Sequence, residues 1–378
     1  MIPKTVVVTG ANGFIGKNLV TRLKRENFHV LTLEHNAIDQ IAVKTLNQAD
    51  VVFHLAGVNR PVYQTEFDSG NHEFTKRVVD ILRHYGRNPT IIYASSTQIY
   101  DILTNNSSIN EYALSKLNAE AVLNLWAKES NSTITVFRLP NVYGKWSKPN
   151  YNSVVATFCQ NLIDEKALVV HQESKVIELV HVDDVVNLFI EEIPNPSKKF
   201  QIVDVPCKIT NFIQVGSLKE ELEKIHEQHN KSIIPNMKNT FTKKLYSTYI
   251  SFLNTENELV SKGEVDHKDD RGTLKELLKS NETGQIFVST TKPGITRGGH
   301  YHNQKFEKFI VLSGEAMITI EDVITEELKI INVSGHEMKT VNIPPGTRHW
   351  IKNVGDDMLI TLFWANEIFD PLNTDTYE

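Results

Sequence analysis

Cysteine is nearly absent from this chain: Cys159 and Cys207 are the only two among 378 residues. They lack metal-ligand spacing and allow at most one disulfide, so a disulfide-stapled scaffold is excluded and a reducing compartment is the simpler expectation. Also missing is any uninterrupted apolar run approaching the length of a membrane span. Nor is there an excess of one charge: Lys and Arg number 40 against 46 acids, a net charge of −6. That balance offers no bulk attraction to nucleic acid or an anionic membrane. A β-type run begins at Thr5, which leaves no room for a cleavable leader. The expectation is a cytoplasmic protein without nucleic-acid or membrane partners. What remains, 40% hydrophobic and 23% charged residues, is ordinary globular composition, and the length accommodates two domains.

The run from Thr5 feeds Gly10-Ala-Asn-Gly13-Phe-Ile-Gly16 and then residues that favour a helix. Strand, tight turn and helix start form a site for a pyrophosphate: Gly10 permits the turn, Gly13 admits the ligand to the backbone, and Gly16 lets helix and strand pack closely. A second strand, from Phe28, ends at Glu34. A carboxylate there holds ribose hydroxyls and favours NAD, whereas a neighbouring Arg would favour NADP; the alternative is a solvated strand end. Further buried-type strands run from Asp50 to Gly57 and from Thr90 to Ser96, with helical stretches between, one beginning at Asn71. Such alternation predicts a doubly wound parallel sheet with its site beyond the strand ends, near Ser95, Ser96 and Thr97.

Tyr112 and Lys116 stand four residues apart where a helix begins, which places both on one face. An ammonium beside a phenol favours its ionised form, and a tyrosine so placed can protonate a carbonyl oxygen as hydride reaches the carbon. Ser96 can hold the same oxygen. The alternative is an exposed helix pair. Downstream, Lys145 to Asn152 is basic, aromatic and polar. Arg138, Lys145 or Lys148 could meet phosphates there, and Asn150 or Asn152 sugar hydroxyls, unless the segment is a plain surface loop. The apolar spacing from Thr210 to His229 predicts an amphipathic helix. The stretch from 231 to 255 reads as irregular, and a boundary is placed at 245, dividing 1–245 from 246–378.

Beyond it, short β-type runs separated by Gly, Pro and Asn predict an antiparallel barrel or sandwich. Within it, His300 and His302 share one strand face, and Glu307 and His349 can reach them from neighbouring strands. Three imidazoles and a carboxylate suit a transition metal such as zinc.

Residues 1 to about 240 resemble an extended short-chain dehydrogenase/reductase. The likeness is carried by Gly10, Gly13, Gly16, the His54–Gly57 strand end, Asn71, Ser95-Ser96 and Tyr112 with Lys116. Arg138 to Gly144 and Leu179 to Asp184 add to it, while Asp101 stands where that family usually has Gly. The resemblance implies Ser96, Tyr112 and Lys116 as the catalytic group and a nucleotide-linked sugar as substrate. It implies cofactor contacts at Gly10, Gly13, Phe14, Ile15, Gly16 and Glu34, at Leu55, Ala56, Gly57 and Asn71, and at Tyr112 and Lys116. Implied substrate contacts are Arg138, Asn141, Lys148, Asn150, Asn152 and Arg271.

The second half resembles the cupins, by His300-x-His302, Glu307 and Gly314, and by the Pro345-Gly346 turn before His349. That implies a metal on His300, His302, Glu307 and His349. Arg297-Gly-Gly-His300-Tyr301 also echoes the metal-free nucleotide-deoxysugar epimerases, which would make His300 a general base. Over nearly its whole length the chain resembles the bifunctional capsular polysaccharide enzymes of UDP-N-acetyl-L-fucosamine synthesis. In that family the cupin epimerises C3 of UDP-2-acetamido-2,6-dideoxy-hexos-4-ulose, and the reductase then reduces the C4 ketone with NADPH to the L-talose-configured product. A homodimer is implied too. The base that removes the C3 proton is open among His300, Tyr301 and His267. The competing reading is an NAD-dependent UDP-sugar epimerase or dehydratase whose cupin binds sugar or dimerises.

Overall fold

The computed structural model describes residues 5–104, 110–193, 198–260 and 266–378. Two compact units result, Met1–Leu222 with Ser247–Phe252, and Glu223–Tyr246 with Leu253–Glu378, so no single cut divides them.

The first unit is built on six parallel strands: β1 (Thr5–Thr9), β2 (His29–Leu33), β3 (Val51–His54), β4 (Thr90–Ser96), β5 (Ile134–Leu139) and, after two strands outside this sheet, β8 (Phe200–Asp204). They lie in the order β2-β1-β3-β4-β5-β8. Strand order reverses between β1 and β3, which opens a crevice at the strands' carboxyl ends. The apolar runs have no polar alternation because both faces are covered. Val7, Val52, Ile91 and Tyr93 pack against helices Phe74–His84 and Glu111–Glu129 through Val78, Leu82, Leu123 and Trp126. Val6, Val8, Phe53 and Ile92 pack on the opposite side with Leu19, Val185 and Phe189.

Beside this sheet, β6 (Asn141–Tyr143), β7 (Val176–His181) and β9 (Thr210–Gln214) form a small mixed sheet. The helix expected from Thr210 begins at Val215; its first five residues are strand β9, because antiparallel pairing with β7 (Thr210 opposite Val180) overrides the helical spacing. Within the stretch read as irregular lies the helix Thr240–Ile250. Asn239 starts it, its Oδ1 accepting from the backbone of Phe241 at 2.9 Å and Thr242 at 3.2 Å.

Among its described residues the second unit holds ten strands, paired antiparallel with one another. The first group is β10 (Asp266–Asp269), β11 (Gly272–Ser280), β12 (Gly284–Thr291), β13 (Thr296–His300) and β14 (Glu307–Ser313). The rest are β15 (Glu315–Asp322), β16 (Leu328–Ser334), β17 (Thr340–Ile343), β18 (Thr347–Asn353) and β19 (Leu359–Ala365). One sheet runs β10-β11-β12-β19-β14-β17 and the other β13-β18-β15-β16. Phe309, Val311, Ile318, Ile351 and Phe363 form their shared core. Alternation places Glu307 in line with Phe309 and Val311, and His349 in line with Ile351, so both polar groups point inward at the core's edge.

The Gly-rich turn is sterically closed. Gly10 has φ +66° and its missing Cβ would lie 2.7 Å from Ala56 N; a Cβ on Gly16 would lie 2.1 Å from Gly10 O. Gly16→Ala is therefore expected to cost about 1–3 kcal/mol through forced backbone movement. Chemical denaturation checks this, and a midpoint equal to the parent's would contradict it.

Candidate active site and candidate metal centre

At the crevice of the first unit lies a cleft of about 600 Å³. Its walls include Gly10, Gly13, Phe14, Ile15 and Gly16 from the turn, Leu55 and Gly57 after β3, and Ser96 at the tip of β4. Tyr112 and Lys116 enter from helix Glu111–Glu129, and Asn141, Lys148 and Asn152 from the following segments. That helix is set by Asn110, whose Oδ1 accepts from Tyr112 N at 3.1 Å while its amide donates to Gln98 Oε1 at 2.9 Å.

Lys116 is buried and donates from Nζ to the carbonyl of Ala94 at 3.0 Å, 4.8 Å from the centre of the Tyr93 ring. Burial brings its pKa down to about 8, with the nearby Glu120 charge opposing the shift. Gly57 makes room for it: a Cβ there would stand 2.9 Å from Nζ. Tyr112 behaves differently from the sequence expectation of a phenol drawn toward ionisation. Removal from water pushes it up to about 12, against a hydrogen bond with Ser96 that acts downward. Tyr112 therefore holds its proton at neutral pH, which suits a group that gives a proton away.

Beneath this group lies a carboxylate that sequence reasoning missed. Glu120, one turn from Lys116, is buried; it accepts from Ser95 Oγ at 2.6 Å and from the Arg138 fork at 3.2 Å (Nε) and 2.7 Å (Nη2). Arg138 also lies over the Tyr100 ring at 4.9 Å, and the Tyr100 hydroxyl donates to Asp204 at 2.6 Å. Arg138, expected among the phosphate contacts, is thus committed to Glu120 and is absent from the cleft wall. The i, i+4 spacing of Lys116 and Glu120 was the available signal.

Other expected contacts also lie off the wall. Asn71 is buried behind it, its amide donating to Val58 O and Ser115 Oγ, each at 2.9 Å. Ala56 is buried, with its N–H donating to Thr9. Glu34 is exposed and accepts from Asn12 Nδ2 at 2.7 Å. Asn150 is exposed, its N–H donating to Thr157. In the second unit Arg271 is exposed and forks onto Asp269 at 2.9 and 2.7 Å. Trp146 and Tyr151 join the cleft wall.

In the second unit His300, His302, Glu307 and His349 each offer a ligand atom, all within 4.8 Å of one another. His302 donates from Nδ1 to the carbonyl of Asp375, and His349 from Nδ1 to that of Thr347 at 3.2 Å. A carbonyl only accepts, so in both rings Nε2 carries the lone pair. Those Nε2 atoms are buried without a hydrogen-bond partner and face Glu307 Oε2 at 3.7 Å (His302) and 3.3 Å (His349). Burial first, then His349 and His302, bring His300 down to about 4. Two inward-facing imidazole nitrogens and a carboxylate turned on one point call for a proton or a cation between them, and the donor set fits a divalent metal. Tyr301 and Tyr377 lie with tilted rings, their centres 5.4 Å apart. His267 lies exposed on β10.

A parallel sheet with a Gly-rich turn, and a Ser, Tyr and Lys converging on one cleft, define an oxidoreductase that uses a nicotinamide cofactor. The chain belongs to the NAD dependent epimerase/dehydratase family, matched over residues 6–204, and residues 267–377 match the polysaccharide biosynthesis C-terminal domain. It is 39% identical over 373 residues to the UDP-2-acetamido-2,6-beta-L-arabino-hexul-4-ose reductase of Pseudomonas aeruginosa, covering 98% of this chain and 97% of that one. The crystal structure of the capsular polysaccharide assembling protein CapF from Staphylococcus aureus aligns with a TM-score of 0.86 at 37% identity, over 98% of each chain. A UDP-glucose 4-epimerase from Thermotoga maritima, 20% identical with a TM-score of 0.56 over 66% of this chain and 98% of its own, shares the fold alone. Among the described residues no helix is long and apolar enough to cross a membrane.

Arg138→Ala strands a buried carboxylate and is expected to destabilise the fold by about 3–5 kcal/mol, read by denaturant unfolding. Weaker sugar-nucleotide binding at unchanged stability would instead restore Arg138 as a phosphate contact.

Proposed function

We propose that the chain is a bifunctional sugar-nucleotide enzyme. Its second unit, read as a metal-binding cupin, epimerises C3 of UDP-2-acetamido-2,6-dideoxy-hexos-4-ulose. Its first unit reduces the C4 ketone to UDP-2-acetamido-2,6-dideoxy-L-talose, for the N-acetyl-L-fucosamine of a capsule or O-antigen. The observation that carries the reading is the presence in one chain of two separate constellations: Ser96, Tyr112 and Lys116 lining a cleft, and an inward His/Glu set with two buried, unpartnered imidazole nitrogens. The Pseudomonas relative, named as a reductase of a 4-keto sugar nucleotide, supports the substrate class.

In the reductase unit a bound reduced nicotinamide supplies hydride to C4. Ser96 holds the ketone oxygen, and Tyr112, protonated at rest, donates its proton to that oxygen as the alkoxide forms. Lys116, fixed by the carbonyl of Ala94, places positive charge where Tyr112 becomes phenolate and stabilises it. The ring face of Lys148 and Tyr151, 5.2 Å apart as a cation–π pair, supports a sugar-nucleotide wall.

In the second unit His300, His302, Glu307 and His349 would hold one divalent ion, zinc on this donor set, whose Lewis acidity stabilises negative charge on a ketone oxygen. A C3 proton beside the C4 ketone is acidic because the resulting charge delocalises onto that oxygen. With His300 among the ligands it drops out as the base, which leaves Tyr301 and then His267 as candidates. The resemblance supports NADPH as reductant, a cytoplasmic location and a homodimer. Glu34, held by Asn12 where ribose hydroxyls bind, supports a second reading in which NADH serves as well; kcat/KM for the two cofactors separates them.

Tyr112→Phe is expected to lower NAD(P)H oxidation by about 10²–10⁴-fold while leaving solvent deuterium exchange at C3 intact, and His302→Ala to abolish that exchange. NMR of the sugar in D2O, with cofactor absorbance, reads both. Exchange by His302→Ala at the parent rate would remove the second unit from the chemistry.

A further inference from the structure

We propose that the segment 370–378 is a clamp on the metal-ligand strand, with Asp375 as its positioning residue; this rests on the metal reading above. Three contacts carry it. Tyr377 pairs antiparallel with Tyr301, the residue between His300 and His302, through backbone bonds of 2.8 and 3.0 Å. The carbonyl of Asp375 accepts the Nδ1 proton of His302, which turns the Nε2 lone pair toward Glu307. Its carboxylate accepts three successive backbone N–H groups, from Asn303 at 3.0 Å, Gln304 at 2.7 Å and Lys305 at 2.7 Å.

Those three residues begin the connection from His302 to Glu307. One aspartate therefore fixes the tautomer of His302 and the path of the chain leading to Glu307, while Tyr377 fixes the strand between His300 and His302. Such outer contacts orient ligands before an ion arrives and raise affinity by removing the entropy of ordering them. His349 has no such dependence, since its Nδ1 partner, Thr347, lies in its own strand.

The clamp is also separable from the fold. Among the described residues no buried apolar side chain of this unit lies after Ala365, and Leu372 within the segment is 95% exposed. Loss of the segment should therefore loosen the ligands without emptying the core.

The test uses the full chain, the chain stopped after Thr374, Asp375→Ala and Asp375→Asn, each stripped of metal and titrated with Zn²⁺ against a chromophoric chelator and with Co²⁺ by visible absorption. Removal of 375–378 is expected to weaken Zn²⁺ binding by about 10–100-fold and to alter the Co²⁺ ligand-field bands. Asp375→Ala should do so to a lesser degree, and Asp375→Asn, which keeps an acceptor, should recover part of the loss. Should the shortened chain fail to fold by near-ultraviolet circular dichroism, the two point variants decide. Parent affinity and an unchanged Co²⁺ spectrum in the folded variants would overturn the clamp. Absence of tight Zn²⁺ binding by the full chain would overturn the metal reading itself, a distinct result.

Discussion

Two ionisable side chains one helical turn apart, Lys116 and Glu120, are buried on the same face of helix Glu111–Glu129, and the geometry of the first unit follows from what they require. A buried charge is tolerated only with partners. Lys116 takes the carbonyl of Ala94 and the face of Tyr93. Glu120 takes the Ser95 hydroxyl and the Arg138 fork, which raises the pKa of that guanidinium further. Both sets of bonds tie the helix to β4 and β5. Tyr112, one turn before Lys116, is held over the tip of β4 beside Ser96 as a consequence. Interactions that stabilise the fold and interactions that aim Tyr112 are here the same ones.

The second unit solves an analogous problem with imidazoles and one carboxylate. Its inward face is apolar until the edge of the core, where Glu307 and His349 occupy positions that alternation would otherwise fill with aliphatic side chains. Backbone carbonyls fix both imidazole tautomers from outside. The inner nitrogens are left buried, without a hydrogen-bond partner, facing a carboxylate. Such a convergence of donors suits a bound cation.

Much of the fold was legible because periodicity reports it directly. Buried-type strands alternating with helical stretches announced the doubly wound parallel sheet, and short β-type runs separated by Gly, Pro and Asn announced the antiparallel unit. What failed was local: β9 has helical spacing but is captured by β7, and in Thr240–Ile250 the spacing of Phe241, Leu245 and Tyr249 and the start at Asn239 were passed over. The site was legible where spacing is short, as with Tyr112 and Lys116 or His300 and His302. It was not legible where partners are remote. Arg138 reads as a free cation until β5 is seen beside the helix that carries Glu120. Asp375 lies 73 residues from the imidazole it holds, and no sequence signal connects them. The downward pull expected on the Tyr112 proton fails for a different reason, because burial is the larger effect.

The central claim is that one ketone serves two chemistries in succession. It is tested most directly by running the reaction once in D2O with unlabelled cofactor and once in H2O with NADPH deuterated at the transferred position. The account predicts solvent deuterium at C3 in the first product, cofactor deuterium at C4 in the second, and one cofactor oxidised per sugar. Product labelled at C4 but never at C3, or conversion without net cofactor oxidation, would contradict it.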